Sequence, residues 1–212
     1  MNKLRLLGRF GKGGNINANI FVKETSRYLL ALALVPQLGP VTARNLIAWC
    51  GSPQAVFRVG KAKLLRIPGI GRKIIENFCA GAFLKEADAI IQSCDIQKIE
   101  MISYLDARYP EMLKPLYDAP LILFQKGVCD LNAQPAIAIV GTRKATDYGK
   151  ELAARFATHF ANAGVNVVSG LAYGIDFEAH KAVIKASGIT TAVLAHGLDT
   201  IYPGSHTSKA RE

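Results

Sequence analysis

Ala136-Ile-Ala-Ile-Val140 followed by Gly141-Thr-Arg-Lys-Ala-Thr-Asp-Tyr-Gly149 is the stretch that decides the fold. An apolar run of five residues that ends at glycine reads as a parallel strand covered on both faces. The residues after Gly149 alternate apolar and polar at helical spacing, so the turn between them sits where a helix begins and its first backbone N–H groups lack partners. Such a turn attracts anions.

Working outward, the pattern returns twice. Val165-Asn-Val-Val168 feeds Ser169-Gly-Leu-Ala-Tyr-Gly174 and a helix opened by Asp176, and Thr190-Thr-Ala-Val-Leu194 runs into Ala195-His-Gly-Leu-Asp199. Three strands alternating with two helices predict a Rossmann-like βαβαβ parallel sheet with right-handed crossovers over residues 136–212, all three loops opening at one edge. In a doubly wound order of 3-2-1, the first strand is left as a bare edge and the cleft at the switch point is incomplete. The expectation is therefore of half a doubly wound domain, either in a C-terminally truncated chain or in one whose first-strand edge is covered by something it pairs with; alone it is expected to be prone to concentration-dependent association through that edge.

Residues 25–97 differ in character. Leu29, Leu30, Leu32, Ala33 and Leu34, then Leu46, Ile47 and Trp49, recur at helical spacing and predict a small all-α domain. Two of its junctions share one form: Val35-Pro-Gln-Leu-Gly39 before Pro40, and Ile67-Pro-Gly-Ile-Gly71 before Arg72. This resembles the hairpin of the helix-hairpin-helix (SAM-like) family, in which glycines let a turn approach a phosphate. Gly69, Gly71, Arg72 and Lys73 are the candidate contacts, against the alternative of a tight corner between helices. Residues 98–135 carry two short apolar runs around a Pro-rich loop and read as a connector that packs on the sheet.

With 26 Lys plus Arg against 16 Asp plus Glu, the formal charge is +10, more than solubility requires, and a polyanionic partner is favoured. Residues 1–24 hold Lys3, Arg5, Arg9, Lys12 and Lys23 with one acid, Glu24, and are Gly/Asn-rich between Gly8 and Asn19; they read as a basic, disordered extension. Half the residues are hydrophobic, which excludes a disordered chain as a whole. Cys50, Cys79, Cys94 and Cys129 form no CxxC pair and have no histidine at finger spacing, so neither a metal site nor a disulfide framework is indicated. No apolar stretch reaches the ~18 residues of a membrane helix and the basic start lacks a signal-peptide core, so a reducing, cytoplasmic setting without membrane insertion is expected.

An ordered set of motifs, Tyr104-Leu-Asp106, Tyr109-Pro110, Pro120-Leu-Ile-Leu-Phe124, Ala138-Ile-Val-Gly-Thr-Arg143, Tyr148-Gly149, Ser169-Gly-Leu-Ala-Tyr-Gly-Ile-Asp176, Ala179-His180, Gly197-Leu-Asp199 and Tyr202-Pro203, resembles the DprA (Smf) family of bacterial DNA-processing proteins. The resemblance implies a non-enzymatic protein of natural transformation that binds and protects incoming single-stranded DNA, loads the RecA recombinase and forms a homodimer, with no cofactor. Carried over by position, Gly141, Thr142 and Arg143 grip a phosphate, and Ser169 and Gly170 line the same pocket. Lys144, Tyr148, Gly149, Tyr173 and Gly174 complete that surface. Thr142 stands where serine is frequent, and Tyr173 where a basic residue is frequent, which offers a ring for base stacking instead of a charge.

Two other classes stay open on the residues alone. A nucleotide-binding or nucleotide-hydrolysing enzyme would use Asp176 and His180, four apart on one helical face, as a tuned general base; the plainer role for the pair is to lock a loop. A nicotinamide dehydrogenase fits poorly, because Gly141 to Gly149 is not G-x-G-x-x-G and Ser169, not an acid, ends the second strand. A docking protein with no nucleic-acid contact is the third possibility.

Overall fold

A computed structural model describes residues 16–132 and 135–211, with side chains from Glu24 onward. The expected extension therefore lies outside the described residues up to position 15, and from Ile16 the chain is helical. The chain divides into two compact units, one of residues up to 91 with 120–122, the other of residues 92–119 and 123–212.

Apart from residues 120–122, the first unit is helical: α1 (Ile16–Ala33), α2 (Pro40–Cys50), α3 (Pro53–Arg58), α4 (Lys61–Leu64), α5 (Arg72–Ala80) and the start of α6 (Phe83–Gln97). Leu29, Leu32, Leu46, Val56, Leu64 and Ile75 are buried and form its centre, because each short helix has one apolar face. Tyr28, Phe57 and Phe78 run through it as tilted ring pairs with centroids 5.5 and 5.0 Å apart. The two hairpins share one turn. Leu38 N–H donates to Val35 O at 3.1 Å with Gln37 at φ 66°, and Ile70 N–H donates to Ile67 O at 3.4 Å with Gly69 at φ 78°. Proline second and a positive φ third make each a type II turn, and glycine meets that demand where glutamine is strained.

The second unit carries β1 (Glu100–Ser103) and β2 (Ile122–Gln125), which pair as a two-stranded sheet, and then β3 (Ala136–Ala138), α7 (Asp147–Asn162), β4 (Asn166–Ser169), α8 (Ile175–Lys185) and β5 (Thr190–Ala192). A 3-10 turn (Gly204–His206) and a short α9 (Thr207–Ala210) follow. Strands β3, β4 and β5 form a parallel sheet in that order, with Ile137 opposite Val167 and Val167 opposite Thr190. The chain is thus the expected α/β arrangement: a βαβαβ parallel sheet preceded by helix-hairpin-helix elements.

Both connecting helices cover one face of the sheet. Ala157 and Ala161 of α7 and Ala179, Ala182 and Val183 of α8 pack with Val167, and Ile137 and Ile139 lie against them. Alanines at this seam let the two helices and the sheet approach closely. The other face corrects the expectation of a strand buried on both sides. Ala136, Ala138 and Val140 are exposed, as is Val193, whereas Asn166 on that face is buried and bonds to Thr191 at 3.0 Å, with Cys129 Sγ 3.8 Å from the same Thr191 hydroxyl. The apolar run reads as doubly covered because alanine, isoleucine and valine are all apolar, yet strand pleating sends only alternate residues to the helical layer.

Candidate nucleic-acid interface

The loop from β3 to α7 is held by its neighbour. A Cβ on Gly141 would lie 2.6 Å from Ile175 Cγ1, and one on Gly174 would lie 2.8 Å from Arg143 O and closer still to Thr142 O. Gly174 has φ 80° and ψ −126°, a conformation open only to glycine, and Ile175 N–H donates to Thr142 O at 3.3 Å. The first two loop mouths are therefore one packed structure. Within it, Thr142 Oγ1 accepts from Lys144 N–H at 3.2 Å, a local turn that points the chain outward.

Arg143 and Lys144 stand exposed on this turn, and among the described residues neither takes part in an ion pair. A free guanidinium on a fixed loop can donate paired hydrogen bonds to a phosphate. The helix end contributes less than the sequence suggested. Thr146 caps α7 by accepting from Gly149 N–H at 3.2 Å, and Asp147, ion-paired with Lys150 at 3.1 Å, occupies the first turn. A capped, acid-bearing N-terminus is a poor anion site, so the positive potential comes from side chains. Tyr148 is exposed beside them.

In the second loop the donors of Ser169 and Gly170, expected to line the phosphate pocket, turn inward. Buried Ser169 donates its hydroxyl to Ile139 O at 2.6 Å, joining the ends of β4 and β3, and Gly170 N–H donates to Asp176 Oδ2 at 3.2 Å. Both groups are already committed inside the fold. Leu171 adopts φ 58°, and its carbonyl accepts from His206 Nδ1 at 2.9 Å. The His206 ring stacks on Phe177 at 3.7 Å and meets the edge of Tyr173 at 5.0 Å, leaving Tyr173 about half exposed.

Asp176 and His180 are both buried. Thr190 Oγ1 donates to Val167 O at 2.7 Å, so it accepts from His180 Nδ1, also at 2.7 Å; the neutral imidazole carries its proton there. His180 thus bonds to a strand of the sheet rather than facing the loop mouths. Burial pushes its pKa down, with Asp176 acting in the opposite direction and His206 adding to the fall. Stability should therefore decline as pH drops through ~6.5, because the unfolded imidazole takes up a proton that the folded one refuses until lower pH. The contribution approaches about 1.4 kcal/mol per pH unit over that window. Urea melts at pH 7.5 and 5.5 check it: His180→Asn, which keeps a donor toward Thr190, should show the shallower dependence, and equal slopes would refute the assignment.

Sequence reasoning missed His206, Thr190 and the Gly174 contact; His206 is buried, and Thr190 and Gly174 are partly covered. Gly69, Gly71, Arg72 and Lys73 belong to the other unit; Arg72 is paired with Glu76 at 3.5 Å and Lys73 is exposed. Among the described residues no cluster of His, Cys, Asp and Glu can hold a metal, and no helix is long and apolar enough to cross a membrane.

Comparison with known proteins agrees with this architecture. Residues 29–82 match a SAM-like helix-hairpin-helix tandem model. The chain is 29% identical over 180 residues to Protein Smf of Synechocystis, covering 83% of this chain and 45% of that protein. It is 42% identical over 111 residues to DNA processing protein DprA of Streptococcus pneumoniae, covering 52% of this chain and 39% of that protein. The crystal structure of DNA processing protein A from the same organism aligns with TM-score 0.62 at 27% identity, covering 94% of this chain and 65% of that one. The chain thus spans less than half the length of these curated relatives. Residues 100–212, more than half of the chain, match the family model of DNA recombination-mediator protein A, and the chain belongs to that family of DNA-processing proteins.

Proposed function

We propose that this chain binds the sugar-phosphate backbone of single-stranded DNA at the Gly141–Lys144 loop, without chemistry of its own, as a cytoplasmic DNA-processing protein. The observation that carries the reading is Arg143, exposed and, among the described residues, without an ion pair, on a turn that Ile175 and Gly174 hold in place. Tyr148 and Tyr173 present partly free rings to unpaired bases, which favours a single strand over a duplex at this surface. Gly149 and Gly174 act through the backbone, one in the cap of α7 and the other in the contact with Thr142. Similarity to the DprA relatives supports the finer roles: protecting incoming DNA, passing it to the RecA recombinase, and dimerising through the α/β unit.

Titration with short oligonucleotides tests it. Arg143→Ala should weaken oligonucleotides of every sequence alike and lower the slope of log affinity against log salt by about 0.7, one single-strand phosphate. Unchanged affinity and slope would move the site elsewhere. Mononucleotides run in parallel should bind far more weakly; tight mononucleotide binding without oligonucleotide binding would favour the nucleotide enzyme instead.

A further inference from the structure

Helices α7 and α8 each return from the carboxyl edge of a parallel sheet, so they run side by side in one direction. Glu151, early in α7, therefore lies toward the loop mouths, and Lys185, last in α8, toward the far end. On the solvent side of this layer Ala154, Thr158 and Ala182 are too small to fill the space between the helices, which leaves a groove of about 910 Å³. Its lining runs from Glu151 to Asn162 along α7, about 16 Å at 1.5 Å per residue, or three helical turns.

Phe156 stands in this groove and is 56% exposed. One exposed ring needs no explanation by itself, but this one shares the groove with two cations that the fold leaves unused. Arg155 and Lys185 are exposed, line the same groove, and join no ion pair among the described residues. Lys181, by contrast, donates to both oxygens of Glu178, at 3.1 and 3.0 Å, so that pair neutralises itself. Glu151 is then the one unpaired acid of the lining, at the end near the loop mouths.

This pattern selects among ligands. Both walls are helices, whose backbone groups are bonded internally, so an extended strand finds nothing to pair with, while a helix brings its own satisfied backbone. The evenly repeated phosphates of a nucleic acid would meet Glu151 as well as the cations and gain little from Phe156. A peptide helix can set acids opposite Arg155 and Lys185 and a neutral or basic side chain opposite Glu151. A second copy of the same groove offers one unpaired carboxylate for two cations, a poorer match.

We propose that the groove between α7 and α8 is a docking site for an amphipathic helix of a protein partner, which lays apolar side chains at i, i+4 and i+7 on Phe156 and turns acids toward Arg155 and Lys185. The site is separate from Arg143 and does not depend on what that loop binds. The test uses the whole chain and a fluorescein-labelled helical peptide of about 16 residues, with leucines at i, i+4 and i+7 flanked by glutamates. A second peptide carries lysine for each glutamate, and a third scrambles the order of the first.

In fluorescence anisotropy the acidic helix should bind the parent protein and the scrambled peptide should not. Arg155→Glu combined with Lys185→Glu should weaken the acidic helix at least about tenfold and make the lysine helix the tighter ligand. Phe156→Ser should weaken the acidic helix without creating that reversal. Oligonucleotide affinity should stay at the parent value in both variants, and melting temperatures within a few degrees of the parent show that they are folded. An acidic helix that fails to bind the parent, or that the charge-reversed variant still prefers, would overturn the proposal. So would oligonucleotide affinity lost in the same variant, which makes the groove a nucleic-acid surface, or a parent dimer that Phe156→Ser dissociates in sedimentation, which makes the occupant a second copy.

Discussion

Gly174→Ala is expected to cost roughly 3 kcal/mol or more and to lower the melting temperature by about 10 °C, the largest effect of any single methyl group in the α/β unit. Two independent penalties fall on that one atom. The backbone sits at φ 80° and ψ −126°, where an L side chain is strained. The added carbon also meets Arg143 O at 2.8 Å and overlaps Thr142 O, which is held in place by the hydrogen bond it accepts from Ile175 N–H. Gly164 provides the comparison that separates the terms. It has φ 73° with open space where a Cβ would go, so Gly164→Ala carries only the conformational penalty, about 1 to 2 kcal/mol. Oligonucleotide binding should fall in Gly174→Ala and stay near the parent value in Gly164→Ala. A Gly174→Ala protein that melts no lower than Gly164→Ala would show that the two loop mouths are not packed together.

What was legible in the sequence follows from which interactions are periodic. The three strands, their order and the two crossover helices announce themselves because apolar spacing and handedness rules act over many residues at once. The hairpin turns are legible for a different reason: proline second and a left-handed residue third leave few turn types to choose from. The site divided. Arg143 and Lys144 were recognisable as exposed cations on a turn, whereas Ser169 looked like a ligand for the same reasons that suit it to bond Ile139 O. A hydroxyl beside glycine at a strand end has the same pattern whether it faces a phosphate or a carbonyl, and only tertiary structure separates the two. Thr146 was similarly hidden, since a cap one residue before Asp147 shifts the helix start past the turn that was to present bare N–H groups. His206 had no local signal at all; its partners Leu171, Tyr173 and Phe177 lie about thirty residues upstream.

Ala179→Leu should be the other severe change, because the seam between α7 and α8 has no room. Ala179 and Ala157 are both fully buried, and with Ala182, Val183 and Val167 they close the layer over the sheet. A leucine adds three carbons that must displace a helix or adopt a strained rotamer, and overpacking of this kind costs about 1 to 3 kcal/mol, occasionally more. Ala179→Gly, which removes a buried methyl, should cost about 2 kcal/mol through helix propensity and lost burial together, so a leucine variant that is worse than glycine marks steric crowding rather than lost burial. The consequence reaches the loops. Asp176 lies one helical turn before Ala179, and its carboxylate accepts from Gly170 N–H at 3.2 Å; a displaced α8 carries that acceptor away and leaves a partly buried donor unpaired. Hydrogen exchange at Gly170 should therefore quicken in Ala179→Leu and not in Ala179→Gly, together with weaker oligonucleotide binding. If leucine melts at or above the glycine variant and Gly170 stays protected, the helical layer has slack, and the coupling between the sheet's covered face and its loop mouths is absent.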